Sequence, residues 1–110
     1  MVLKLKGITG FNGVVKGRIR KVLTIGDVKK VSNEDIIVVK DNSPLLSLAF
    51  LKAKAIISEK GGLLSHLAIV AREMNKPCLL GVEKASSILK DGDKVVLDCK
   101  NGEVIVENEY

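Results

Sequence analysis

The single histidine of the chain, His66, lies in the segment GGLLSHLAIVAREMNKPCLLG, residues 61–81, which gathers the residue types that chemistry needs. With an ordinary pKa of about 6.5, a histidine is substantially unprotonated at neutral pH and offers a nucleophilic ring nitrogen. Ser65 is placed to cap a helix that holds His66 in its first turn, where unpaired backbone N–H groups and the positive end of the helix dipole gather. That setting favours neutral imidazole over imidazolium. It also welcomes an anion, so a phosphoryl group arriving on His66 meets ready donors. Gly61 and Gly62 let the backbone approach such a group closely. Arg72 is the candidate to neutralise its charge through a guanidinium fork. Six residues on is about 9 Å along the axis and about 120° around it, so a straight helix does not set Arg72 beside His66. The alternative for Arg72 and Glu73 is an exposed polar helix face, and Glu59, Lys60 and Lys76 read as surface. A hydrolytic triad is excluded, because there is no second histidine and no base to pair with a serine.

The elements that must position these residues follow from periodicity and turn signals. Residues 13–22 alternate as a strand, and residues 35–40 (DIIVVK) read as a strand buried on both faces. Ser43 and Pro44 open a short helix that continues through LLSLAFL. Residues 53–58 form another buried strand, and a helix from about residue 65 to 74 is stopped by Asn75 and Pro77. On a helical projection Leu67, Val70, Ala71 and Met74 form the core stripe, with His66 about 100° away from its centre. Ile69 falls on the far side, leaving an apolar residue near the exposed face that suits docking or a second packed layer. Residues 78–80 are a short strand closed by Gly81, and residues 83–89 suit a brief helix. Asp91-Gly92 turns, and VVLDCK-NG-EVIV is a hairpin with a primed turn at Asn101-Gly102. The expected fold class is α/β: a mixed sheet with flanking antiparallel strands and short helices.

Composition bounds the rest. The chain has 110 residues, 46% of them hydrophobic and 3% aromatic, with 18 Lys+Arg against 13 Asp+Glu. That is one domain, residues 1–110, able to bury a core yet too small for nucleotide and substrate domains together. No apolar run approaches a membrane span, and the N-terminus lacks a signal-peptide pattern, so a cytoplasmic protein with no membrane partner is expected. In residues 1–30, Lys4, Lys6, Lys16, Arg18, Arg20, Lys21, Lys29 and Lys30 face Asp27 alone, a net of +7, while the remaining 80 residues carry −2. This is either a solvated strand face or a basic surface for an acidic partner. So few aromatic residues leave almost no base-stacking platforms, and nucleic acid ranks last among the partners. Cys78 and Cys99 make no metal spacing with one histidine and read as reduced core residues; no metal site is expected.

GGLLSHLAIVARE, followed by Pro77 and Gly81, closely resembles the mobile, phosphohistidine domain of the phosphoenolpyruvate-utilising enzymes, a family that includes phosphoenolpyruvate synthase, pyruvate phosphate dikinase and enzyme I of the sugar phosphotransferase system. Residues 7–22, DIIVV, AKAIISEKGG and LKDGDKVVLDCKNGEVIV are similar to further parts of that domain, so nearly the whole chain is covered. The resemblance implies a swivelling β/β/α domain in which His66 is phosphorylated at one site and dephosphorylated at another, with Ser65 beside it and Arg72 at the phosphate-binding arginine position. Leu64 stands where family members commonly have Thr, and Phe11-Asn12-Gly13 replaces the usual Ser-Pro-Gly. The implied function is a stand-alone phosphotransferase component served by separate nucleotide-binding and phosphoenolpyruvate- or pyruvate-binding chains, or by another phosphoryl donor and acceptor. No cofactor is expected in this chain, and Mg²⁺ is expected on the partners. The alternatives are a non-catalytic regulatory or structural module that keeps the fold and docks through Leu64, Ile69 and the helix N-terminus, and the swivel subunit of an aconitase-type dehydratase.

Overall fold

In the computed structural model, which describes residues 3–40, 47–61 and 66–107, strand β4 (Asp35–Val39) is buried at every position. It lies between β3 (Val14–Lys21) and β5 (Ala55–Ser58), parallel to both, and β6 (Cys78–Leu80) continues the parallel set. Side chains alternate across such strands. Ile37, Val39, Ile56, Cys78 and Leu80 enter one core, while Ile36, Val38, Ala55, Ile57 and Leu79 enter another. This is why DIIVV and AIIS carry unbroken apolar runs: neither face meets water.

Helices seal the first core. Val28 from a 3-10 helix (Ile25–Lys30), Ala49 and Phe50 from α1 (Ser47–Lys52), and Ala68 and Ala71 from α2 (His66–Glu73) all pack into it. Strands seal the second. Val95 and Leu97 of β7 (Lys94–Asp98), Val104 and Val106 of β8 (Glu103–Val106) and Ala85 of α3 (Ala85–Ile88) cover it. Among the described residues the sheet has eight strands, and with β1 (Leu3–Lys6) and β2 (Ile8–Phe11) its order is β1-β8-β7-β3-β4-β5-β6-β2, with antiparallel pairs on both flanks.

Strands β1 and β2 end that order on opposite sides, yet only Gly7 separates them in the chain. The sheet must therefore coil until its edges meet, producing strand, strand and helix layers. Glycine is needed at the meeting point. A Cβ on Gly7 would fall 2.6 Å from the Leu80 carbonyl oxygen and from Val82 Cγ2, while the Gly7 N–H donates to the Gly102 carbonyl at 3.0 Å.

Two local expectations change. The hairpin turn is not primed: Asp98 pairs with Glu103 across a four-residue loop, and only Gly102 within it has positive φ. The Asp98 carboxylate explains this by accepting the N–H groups of Lys100 and Asn101, both at 3.0 Å, and the Asn101 side-chain amide at 2.8 Å. The basic N-terminal third is not uniformly solvated either. Arg20 Nε lies 3.5 Å from the carboxylate of buried Asp35, which also accepts the Ser32 N–H at 2.9 Å, and Lys21 Nζ donates to the Ser86 carbonyl. The Ser43-Pro44 cap lies outside the described residues.

Candidate functional site

His66 is the first residue of α2, and α2 returns from the carboxyl ends of β4 and β5 toward β6. Its backbone therefore belongs to the first turn, where the N–H groups have no partner within the helix. The carboxyl ends of parallel strands are also where α/β folds gather ligands. Ser65, Gly62 and Leu64, with the directions of the His66 and Leu67 side chains, lie outside the described residues. Gly61 is described. Its φ of +110° is a conformation that favours glycine.

The approach to His66 is tied down on two sides. The Glu59 N–H donates to the Val39 carbonyl, and the Val82 N–H donates to the Ser58 carbonyl, both at 3.0 Å. Ser58 is fully buried; its hydroxyl donates to the Lys60 carbonyl and accepts the Lys60 N–H. Glu59, expected at the surface, is a structural group: its carboxylate accepts the Ser86 N–H at 3.2 Å and the Ser86 hydroxyl at 3.0 Å, fastening the loop to α3. Nothing in the local sequence announces this latch, because its two halves are 27 residues apart.

The helix seats slightly differently from its projection. Ala71 is fully buried and Val70 and Met74 are partly buried, as the stripe requires, but Ala68 is fully buried too. Two alanines one turn apart let the helix lie close to the sheet, which rotates the buried face toward Ala68. Ile69 remains 43% exposed on the outer side. The helix ends as Asn75 and Pro77 demand. Asn75 takes φ +54°, its N–H donates to the Arg72 carbonyl, and the Lys76 N–H donates to the Ala71 carbonyl, the two bonds of a Schellman motif.

Arg72 thus sits in the last turn, exposed, at the opposite end of α2 from His66. Its charge is felt at Cys78, where it partly offsets burial; the thiol is nonetheless pushed up to about 12. Cys99 is likewise raised to about 12, first by burial and then by Cys78. Both are buried free thiols, as expected of core residues. Lys76, also expected at the surface, donates from Nζ to the Phe50 and Leu51 carbonyls, capping the end of α1, and burial lowers its pKa. Among the described residues no group of three or more His, Cys, Asp or Glu side chains could hold a metal ion, and no helix is long and apolar enough to cross a membrane.

Residues 31–102 match the family model of the PEP-utilising enzyme mobile domain. An uncharacterised phosphotransferase of Bacillus subtilis (strain 168), YvkC, is 36% identical over 100 residues, covering 91% of this chain and 12% of that protein. The phosphoenolpyruvate synthase of Pyrococcus furiosus is 36% identical over 98 residues, covering 89% of this chain and 12% of the enzyme. The chain spans about an eighth of the length of these relatives. Among solved structures, an enzyme I solution structure aligns at a TM-score of 0.63 with 27% identity, over 74% of this chain and 34% of that one. Aconitase X of Thermococcus kodakaraensis aligns at 0.71 with 22% identity, over 96% of this chain and 99% of the other, and shows a shared fold alone. The aconitase-type architecture weighed from the sequence is therefore present as fold, while sequence kinship lies with phosphotransfer enzymes. The chain belongs to the family of PEP-utilising enzyme mobile domains.

Proposed function

We propose that this chain is a phosphohistidine carrier domain, with His66 as the residue that receives and passes on a phosphoryl group. The observation that carries the reading is the placement of the lone histidine as the first residue of α2, at the carboxyl ends of the parallel strands, in a member of this family. An unprotonated ring nitrogen of His66 attacks phosphorus in line. The N–P bond forms as the P–O bond to the leaving group breaks, and the leaving oxygen takes that electron pair. Ser65, Gly61 and Gly62 supply the close backbone and hydroxyl environment, and the helix terminus supplies N–H donors for the phosphoryl oxygens. Arg72, at the far end of α2, acts on a phosphate brought to that end by a partner or reaches round the helix to His66. Transfer needs a second site, so donor and acceptor lie on other domains or chains that bind nucleotide and phosphoenolpyruvate or pyruvate. Mg²⁺ belongs to those sites, where it would neutralise the transferred charge. The setting is cytoplasmic, and the domain swivels between sites.

Incubation with ATP or phosphoenolpyruvate, Mg²⁺ and the partner domains should add one acid-labile, base-stable phosphoryl group to the wild type and none to His66→Ala, read by intact mass and ³¹P NMR. Equal labelling of the Ala variant would sink the assignment.

Leu64 in place of the family's hydroxyl and the exposed Ile69 favour a second reading, a docking module without phosphotransfer. It requires a stable partner complex that survives His66→Ala and is lost on Ile69→Asp.

A further inference from the structure

At the amino ends of the parallel strands, remote from His66, β3 overruns its neighbour. Arg18 pairs with Asp35, the first residue of β4, whereas residues 14–17 pair with β7 on their other side. Beside this overhang is a depression of about 430 Å³ lined by Lys16, Arg18, Lys54 and Lys94 together with Glu34 and Glu107. The volume is within the range of small-ligand sites. The lining charges sum to +2, since four cations meet two carboxylates.

Side-chain contacts place Lys54 and Arg18 at this depression. The Lys54 N–H donates to the Asp35 carbonyl at 2.8 Å, and Lys54 Nζ reaches across the missing stretch of β4 to the Lys16 carbonyl at 2.7 Å. That bond uses one of three ammonium donors and holds the charge over the depression. Arg18 rests 3.4 Å from the Glu34 carboxylate, both well exposed. The Glu107 N–H donates to the Lys94 carbonyl at 2.8 Å, joining two of the lining residues. Cations gathered around a concave surface focus a positive field and raise the local concentration of anions. Lys54 precedes β5 and the loop to His66 follows it, so a strand of four residues, about 13 Å, separates the depression from the candidate phosphorylation site.

We infer that this depression is a binding site for a small polyanion of the diphosphate class. The Arg18 fork and the Lys16, Lys54 and Lys94 ammonium groups share its oxygens, and the ligand displaces Glu34 from Arg18. The proposal does not rest on phosphorylation of His66.

The test is a titration of the full chain with pyrophosphate, followed by amide chemical shifts and calorimetry at low and physiological salt. Saturable shifts should cluster at residues 16–18, 34, 54, 94, 95 and 107. The Lys54→Gln/Lys94→Gln variant should bind at least about fivefold more weakly, and Glu34→Gln more tightly, because the competing carboxylate is gone. Lys29→Gln, an exposed lysine elsewhere, should bind as wild type. The opposite signs at Lys54/Lys94 and Glu34 separate ligand contact from loss of fold. Citrate is the second arm: binding tenfold weaker than pyrophosphate supports recognition of phosphate geometry. Equal binding of citrate, non-saturating shifts at lysines over the whole surface, or binding of a poly-glutamate peptide without pyrophosphate binding would each overturn the proposal.

Discussion

At the carboxyl ends of β4 and β5 the Glu59 carboxylate is occupied by Ser86, the Ser58 hydroxyl closes on the backbone of Lys60, and Gly61 follows with positive φ. At the amino ends of the same strands Lys16, Arg18 and Lys94 are exposed around a depression, and Lys54 is anchored above it. In the two proposals, one end recognises charge with backbone dipoles fixed by topology, the other with side chains. A backbone site is hard to remove by substitution but depends on loop geometry. A side-chain site is easily removed by substitution and sensitive to salt. The largest expected effect separates them outright: His66→Ala should abolish phosphorylation while leaving pyrophosphate binding intact, and Lys54→Gln/Lys94→Gln should weaken pyrophosphate binding at least about fivefold while leaving phosphorylation intact. Loss of both functions in either variant would show that the ends are not independent.

A smaller effect tests what the ends share. Ile57 is fully buried in β5, the strand that connects them, and Ile57→Ala should lower stability by about 2–5 kcal/mol, measured by urea unfolding. Because the strand positions both ends, phosphorylation and anion binding should fall together at denaturant concentrations that leave the wild type folded. If only one falls, the loop or the overhang holds its geometry without the strand.

The central strands were legible because being buried on both faces forces an unbroken apolar run, as in DIIVV. The hairpin was legible as an element but not as a turn. The bonds from Lys100 and Asn101 to the Asp98 carboxylate set a loop that the Asn-Gly pair alone would have made primed. In the candidate site, the position of His66 at the start of α2 followed from Ser65 read as the helix cap before it and the Asn75 and Pro77 stop after it. The Glu59–Ser86 latch and the capping of α1 by Lys76 join residues 25 or more apart, and no local pattern encodes such pairs. The depression was half visible: the alternation of Lys16 and Arg18 marked a basic strand face, but Lys54 and Lys94 come from elements that only the sheet order brings alongside.

The latch predicts a one-sided effect. Ser86→Ala removes the hydroxyl bond to Glu59 while leaving the backbone N–H bond, and should cost about 1 kcal/mol. Phosphorylation of His66 should slow, since the loop that orients the start of α2 is loosened, while pyrophosphate binding keeps its wild-type affinity. An unchanged phosphorylation rate would mean that the backbone bonds of Glu59 and Val82 suffice to hold the loop.

The smallest effect lies at neither end. The Asp98 carboxyl is held below the usual carboxylate range, first by the Asn101 side-chain amide, and Asp27 is lowered first by the Leu23 N–H, with which it bonds at 2.9 Å. In both cases the folded pKa lies below the unfolded value of about 3.9, so on acidification the unfolded chain takes up protons first. The stabilising contribution is therefore fully present above the unfolded pKa and is lost as the pH falls through the folded values. Urea midpoints measured from pH 5 down to pH 2 should fall for the wild type and fall less steeply for Asp27→Asn/Asp98→Asn. Over the same range the pyrophosphate affinity at the amino end should follow the same course in both proteins, because neither Asp27 nor Asp98 lines the depression. An identical acid slope in the double variant would place the acid sensitivity of the fold elsewhere.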